Sequence, residues 1–264
     1  MSRETTTFLK NYQHHLHELG LSQLTIQSYC ADLERFRQWF EPARGRPFTP
    51  ENIVPADLVD YKSFLRTVKQ YQPATVNRHL SSIARFLKWA RGQGLTETLP
   101  PEKLQQKPRQ ATAPKSLNQT EQHALTLAVN RGGNPRDVAL IKLLLGAGLR
   151  SSEVAHLKLA DVELLPRSAG AAKGWVHVRA GKGDVSRRVP LNSEVRKALR
   201  AYLDWREDQA AASETEAFFI GERGRLTTKG VAYIVRKYAY QAQLLQCSVH
   251  TLRHTFAKNL IDQG

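Results

Sequence analysis

Cysteine is nearly missing from this chain: Cys30 and Cys247 are the only two in 264 residues. Two thiols without paired spacing exclude a disulfide framework and a thiolate metal centre. Each reads as a small buried apolar residue. Long apolar runs are missing too, since even Val138 to Leu149 is interrupted by Lys142 and glycines, and the N-terminal Met1-Ser-Arg-Glu-Thr-Thr-Thr lacks the apolar core of a signal peptide. The chain is therefore expected in the reducing cytoplasm, with no membrane partner. No Asp/Glu/His group has metal-ligand spacing, so neither a metal nor another cofactor is expected. Acid is the remaining scarcity, 24 Asp+Glu against 39 Lys+Arg, for a formal net charge of +15. Such an excess concentrates polyanions around the protein, nucleic acid first among them.

What is there divides into two parts and a seam. From Thr5 to about Gly94 the apolar spacing is helical throughout, and it predicts four helices forming a small bundle. The first carries Phe8, Leu9, Tyr12, Leu16 and Leu19. The second is capped by Ser22 and carries Ile26, Tyr29, Leu33, Phe36 and Phe40; the others run near Pro55 to Val68 and Thr75 to Trp89. Between Leu99 and Pro114 stand four prolines with a basic filling that includes Lys103 and Lys107, which predicts an extended linker, either laid along a polyanion or simply solvated. Beyond it, Asn118 with Glu121 marks a capped helix, followed by helices at Val138 to Leu145 and Glu153 to Leu159. Two alternating segments, Trp175 to Arg179 and Val185 to Pro190, flank Gly181-Lys182-Gly183-Asp184 and read as a β-hairpin. Helices follow at Ser193 to Arg206, Thr228 to Gln243 and His250 to Asp262. Residues 1–100 hold 13 basic and 9 acidic side chains, the rest 26 and 15, so the positive excess falls mainly on the second part.

That second part also holds cations suited to phosphate chemistry. His250 and Arg253, at i and i+3, share one helix face and could grip one phosphate. Arg150 stands in Gly148-Leu149-Arg150-Ser151-Ser152-Glu153, where one helix is expected to end in glycine and another to begin at a serine cap. Two arginines can each present a planar donor fork to the same phosphate, which lysine cannot do. Lys182, on a hairpin tip, could act as a point charge or proton donor, and His250 could exchange a proton near neutral pH. Singly, each has a plain structural explanation: a turn lysine, a surface His-x-x-Arg, a capping ion pair of Arg150 with Glu153. Together, in a basic chain, they point to metal-free chemistry on a phosphodiester.

These residues carry a family resemblance. Gly148-Leu149-Arg150-Ser151-Ser152-Glu153-Val154-Ala155-His156-Leu157, Gly181-Lys182-Gly183 with Arg187-Arg188-Val189-Pro190, and His250-Thr251-Leu252-Arg253-His254-Thr255 resemble the boxes of the tyrosine recombinases of phage-integrase and Xer type. Leu21 through Phe36 and Thr75-Val76-Asn77-Arg78-His79-Leu80 through Trp89 resemble the family's core-type DNA-binding bundle. The resemblance implies a mainly α fold: an N-terminal SAM-like four-helix domain (1–99), a basic linker (100–115) and an α+β catalytic domain with a small antiparallel sheet (116–264). It implies that Arg150 and Arg253 bind the scissile phosphate, that Lys182 assists the leaving 5′ oxygen, that His250 is an acid/base or hydrogen-bonding partner, and that Glu153 orients Arg150. Double-stranded DNA is the implied partner, touched by Thr75, Asn77, Arg78 and Arg85 on the fourth helix and by Lys103, Lys107 and Arg187, with self-association into a tetrameric synapse.

One family element is expected to be missing. The eight tyrosines, Tyr12, Tyr29, Tyr61, Tyr71, Tyr202, Tyr233, Tyr238 and Tyr240, all precede His250, whereas the family's nucleophile follows it. Tyr233, Tyr238 and Tyr240 read as packing residues. Without an attacking hydroxyl a 3′-phosphotyrosyl intermediate cannot form, leaving two readings: a site-specific recombinase represented without its C-terminal end and inactive for cleavage, or a non-catalytic DNA-binding pseudo-recombinase. A type IB topoisomerase fits the small bundle and chain length less well.

Overall fold

Capping residues decide where the N-terminal helices begin and end. The computed structural model describes residues 3–99, 116–165, 174–179, 186–209 and 215–262, and it divides into two compact units, Met1–Ala111 and Thr112–Gly264. In the first, α1 spans Arg3–Glu18. The Ser22 hydroxyl then accepts the Thr25 N–H at 3.2 Å to start α2 (Gln23–Arg44), which Gly45 ends at φ +62°. Prolines at the first turn open α3 (Pro55–Thr67) and α4 (Pro73–Gly92). The apolar stripes of these helices meet in one core containing Tyr12, Leu16, Ile26, Phe36, Phe40, Phe48, Tyr61, Ile83 and Phe86. Phe36 meets Tyr61 edge-on at 4.9 Å, and Tyr12 meets Phe86 at 5.2 Å. Cys247 is buried as expected, whereas Cys30 is only half-buried.

In the second unit Asn118 and Glu121 form a reciprocal capping box, both bonds 2.9 Å, that starts α5 (Gln119–Gly132). Asn134 caps α6 (Pro135–Ala147), whose Ala139, Leu140, Ile141, Leu143 and Leu144 are all inaccessible to solvent. A helix buried on most sides must be central, and α5, α8, α9 and α10 pack around it. After α6 come α7 (Ser151–His156), a 3₁₀ turn at Leu159–Asp161, and a sheet of β1 (Val162–Leu164), β2 (Gly174–Val178) and β3 (Arg187–Pro190) in the order β1-β2-β3. Both pairings are antiparallel, with Val176 opposite Val162 and Val189, so one face feeds the core. The chain continues through α8 (Ser193–Glu207), the short hairpin β4 (Ile220–Gly221) and β5 (Gly224–Arg225), α9 (Thr228–Gln241) and α10 (Val249–Asp262). No helix among the described residues is long and apolar enough to cross a membrane.

Three expectations need amendment. The helix foreseen at Glu153 to Leu159 starts and ends earlier, because Arg150 rather than a serine is its cap and Leu157 has already turned extended. Strand β1 and the β4–β5 hairpin, three and two residues long, were not foreseen. The linker with Lys103 and Lys107, and the turn carrying Lys182, lie outside the described residues.

Helix α6 ends on Gly148 at φ +60°, and a Cβ there would stand 2.2 Å from the Phe256 ring on α10. Gly148→Ala therefore combines left-handed strain with overpacking and is expected to destabilise the second unit by about 3 kcal/mol. The shift of that unit's urea transition measures it.

Candidate active site

Glu153 occupies the third position of α7, where a carboxylate can turn back onto the helix start. Its Oε2 accepts the Arg150 backbone N–H at 2.7 Å, and its Oε1 accepts the Arg150 guanidinium at 3.0 Å. From β3, Arg187 donates both terminal nitrogens, to Oε1 at 2.9 Å and to Oε2 at 2.8 Å. This is the paired geometry in which arginine binds carboxylate most strongly. From α10, Arg253 reaches to 3.8 Å of Oε2 and donates to the Gly148 carbonyl at 2.6 Å. Three guanidiniums from three elements thus meet around one carboxylate.

Burial favours that carboxylate only if it is paired. The Glu153 side chain is 11% exposed. Burial alone pushes its proton affinity up, but hydrogen bonds from Arg187 and the Arg150 backbone and the charges of both arginines outweigh it, so the group lies below the usual carboxylate range. Arg150 and Arg253 remain partly open, and Arg187 and Arg253 line one open groove together with Gly148 and Phe256.

The sequence-derived residues divide accordingly. Arg150, Glu153 and Arg253 come together. Arg187, read as a DNA contact, joins them through Glu153, a link the sequence did not signal because its partner lies 34 positions away. His250 stands exposed in the first turn of α10, one turn ahead of Arg253 and on the same face. Ser248 starts that helix by accepting the Thr251 N–H at 3.3 Å, and Thr255 anchors it by accepting the Leu117 N–H at 2.8 Å. Lys182 lies outside the described residues.

In the first unit, α4 buries Val76, His79, Leu80, Ile83, Phe86 and Leu87 and turns Arg78, Ser81, Arg85 and Lys88 outward. Thr75 and Asn77 are half-buried beside that row. Arg85 lies over the Tyr29 ring at 5.4 Å, and Arg78 is tied to the buried Asp32 on α2. On α9, Tyr238 is buried and donates to Asp137 at 3.0 Å, as a packing residue should. Tyr233 and Tyr240 are each 67% exposed, which corrects the packing expectation for these two. They alternate with Lys229 and Arg236 at i, i+4, i+7 and i+11, a basic and aromatic stripe whose period the sequence carried but whose outward direction it did not.

Comparison with known proteins places both units in one family. Residues 115–264 match the phage integrase family, and residues 9–94 match the phage integrase N-terminal SAM-like domain. The chain is 32% identical over 252 residues to tyrosine recombinase XerD of Ralstonia nicotianae, covering 94% of this chain and 78% of that one. It is 29% identical to tyrosine recombinase XerC of Roseiflexus castenholzii over all of this chain and 82% of the relative. The same fold occurs in the XerH site-specific recombinase bound to palindromic difH substrate, with a TM-score of 0.72, 22% identity and coverage of 91% of this chain and 69% of that one. It recurs in a lambda integrase dimer bound to a COC′ core site, with a TM-score of 0.69, 16% identity and coverage of 98% and 87%. The chain belongs to the phage integrase family and is a site-specific tyrosine recombinase by that membership.

Glu153→Gln is expected to cost the second unit about 1–3 kcal/mol at neutral pH, since the three arginines lose their shared anion. The sign with pH follows from the lowered carboxyl: its stabilisation is complete above the ordinary glutamate range and is lost as pH falls through the lower folded value. Unfolding series at neutral and acid pH should show the wild-type advantage over the variant shrinking on acidification.

Proposed function

We propose that the Glu153-centred cluster is the site that holds a scissile DNA phosphate, with Arg150 and Arg253 as its direct ligands. The convergence of their guanidiniums from α7 and α10 is the observation that carries this reading. A phosphoryl transition state spreads charge over its non-bridging oxygens, and fixed arginines stabilise it without a metal. Lys182 serves the leaving 5′ oxygen and His250 exchanges a proton or hydrogen-bonds the phosphate. Arg187 and Glu153 hold the cluster together from behind.

Residues 1–99 act as the DNA-binding unit, 100–115 as a linker whose Lys103 and Lys107 meet backbone phosphates, and 116–264 as the catalytic unit. Arg78, Arg85, Thr75 and Asn77 on α4 form one duplex contact, and the Lys229, Tyr233, Arg236 and Tyr240 stripe forms another. Lambda integrase is known as a tetramer on a Holliday junction; self-association on DNA, in the cytoplasm, is proposed for this chain as well.

None of the eight tyrosines is the nucleophile in this reading. Tyr202 spends its hydroxyl on the Phe218 carbonyl and the Ile220 N–H, and Tyr238 spends its own on Asp137. Burial pushes the Tyr12 and Tyr61 hydroxyls far above their ordinary range, which opposes formation of a phenolate. Tyr233 and Tyr240 point away from the buried side of α9, the side that packs on α7 where the cluster begins.

The 264-residue chain is expected to bind duplex DNA with affinity falling on the order of a thousandfold between low and moderate salt. On a nicked suicide substrate it should leave no covalent adduct. Arg150→Ala and Arg253→Ala should each lower the slope of log affinity against log salt by about one. An adduct mapped to any of the eight tyrosines overturns the assignment.

A further inference from the structure

Asp32 is an odd residue to find where it is. It lies on α2 inside the bundle with 0% of its side chain exposed, and burying a carboxylate is costly unless it is fully paired. Its pairing comes from both helices. Ser82 on α4 donates to Oδ2 at 2.8 Å, Arg35 one turn along α2 meets Oδ1 at 3.2 Å, and the Arg78 guanidinium binds Oδ2. Arg78 also reaches the His79 Nε2 at 3.2 Å, and since arginine only donates, that nitrogen is the acceptor and carries no proton. Burial lowers the proton affinity of His79, in keeping with a neutral ring. The result is one buried negative charge beneath two arginines whose side chains remain 52% and 45% exposed.

We propose that Asp32 holds Arg35 and Arg78 as a two-arginine clip for a single backbone phosphate of duplex DNA. The inference rests on the reading that the first unit binds DNA, and it gives Arg78 a different role from base readout. A guanidinium tethered at one end by a buried carboxylate has lost the freedom to follow base edges. It keeps outward N–H donors, and paired donors in fixed planes are what a phosphate recognises. Arg35 on α2, which no sequence motif marked, supplies the second fork. Asp32 is the positioning residue, touching no DNA itself.

The sign of one substitution separates geometry from bulk charge. Asp32→Asn raises the net charge by one, so if only the overall field mattered, duplex binding should tighten and its salt dependence steepen. The clip requires the opposite: weaker binding by about three- to tenfold, equal on two duplexes of unrelated sequence, and a salt slope lower by about one. Tighter binding by a variant with unchanged circular dichroism overturns the proposal. Should Asp32→Asn unfold the bundle, Arg35→Gln, Arg78→Gln and their combination decide. If both grip one phosphate, the double variant loses little more than either single one; losses that add, or that favour one duplex over the other, overturn it. Arg85→Ala and Lys88→Ala serve as the control on the underlying reading. If they weaken binding while the Arg35 and Arg78 variants do not, only the clip fails; if all four leave binding unchanged, the DNA-contact reading of this unit fails and takes the clip with it.

Discussion

The second unit depends on the sharing of one carboxylate by three arginines. Guanidiniums from α7, β3 and α10 repel one another, and bringing them together for an anionic ligand costs free energy before any ligand arrives. Glu153 offsets that cost in the unliganded state. It does so from the inner side, where its own burial makes each attraction stronger than it is in water. Because the carboxylate also caps α7 through the Arg150 backbone, the helix start and the charge arrangement cannot be perturbed separately.

The first unit repeats the device with other residues. Asp32 is buried beneath Arg35 and Arg78 as Glu153 is beneath Arg150 and Arg187, and in both places the anion sits inside while the cations face outward. Buried ion pairs are poor sources of net stability, because desolvation cancels most of the attraction. Their advantage is orientation: a flexible arginine loses several rotatable bonds when it grips a phosphate, and a carboxylate behind it removes part of that loss in advance.

Much of this architecture was legible in the sequence because it is local. The caps at Ser22 and Asn118, the 3.6-residue stripes of the N-terminal helices, and the alternation of β2 and β3 are written within a few positions of where they act. The Arg150 and Arg253 boxes were legible as motifs. What escaped notice was either too short to show a period, such as β1 and the β4–β5 hairpin, or set by partners distant in the chain. Arg187 binds a carboxylate 34 residues away, and Arg78 binds one 46 residues away. A stripe on α9 can face inward or outward with equal regularity, so Tyr233 and Tyr240 were assigned the wrong side until the packing of Val231, Ile234 and Val235 fixed the rotation.

The peptide at Gly148 has a wider consequence. It ends α6, its carbonyl receives Arg253, and two residues later the chain places Arg150. The two arginines are therefore spaced through a few atoms of one turn, although they lie 103 positions apart in the polypeptide. Chain length between them is decoupled from their separation in space. Loops in that interval can lengthen, shorten or change composition while the pair proposed to hold the phosphate keeps its gauge.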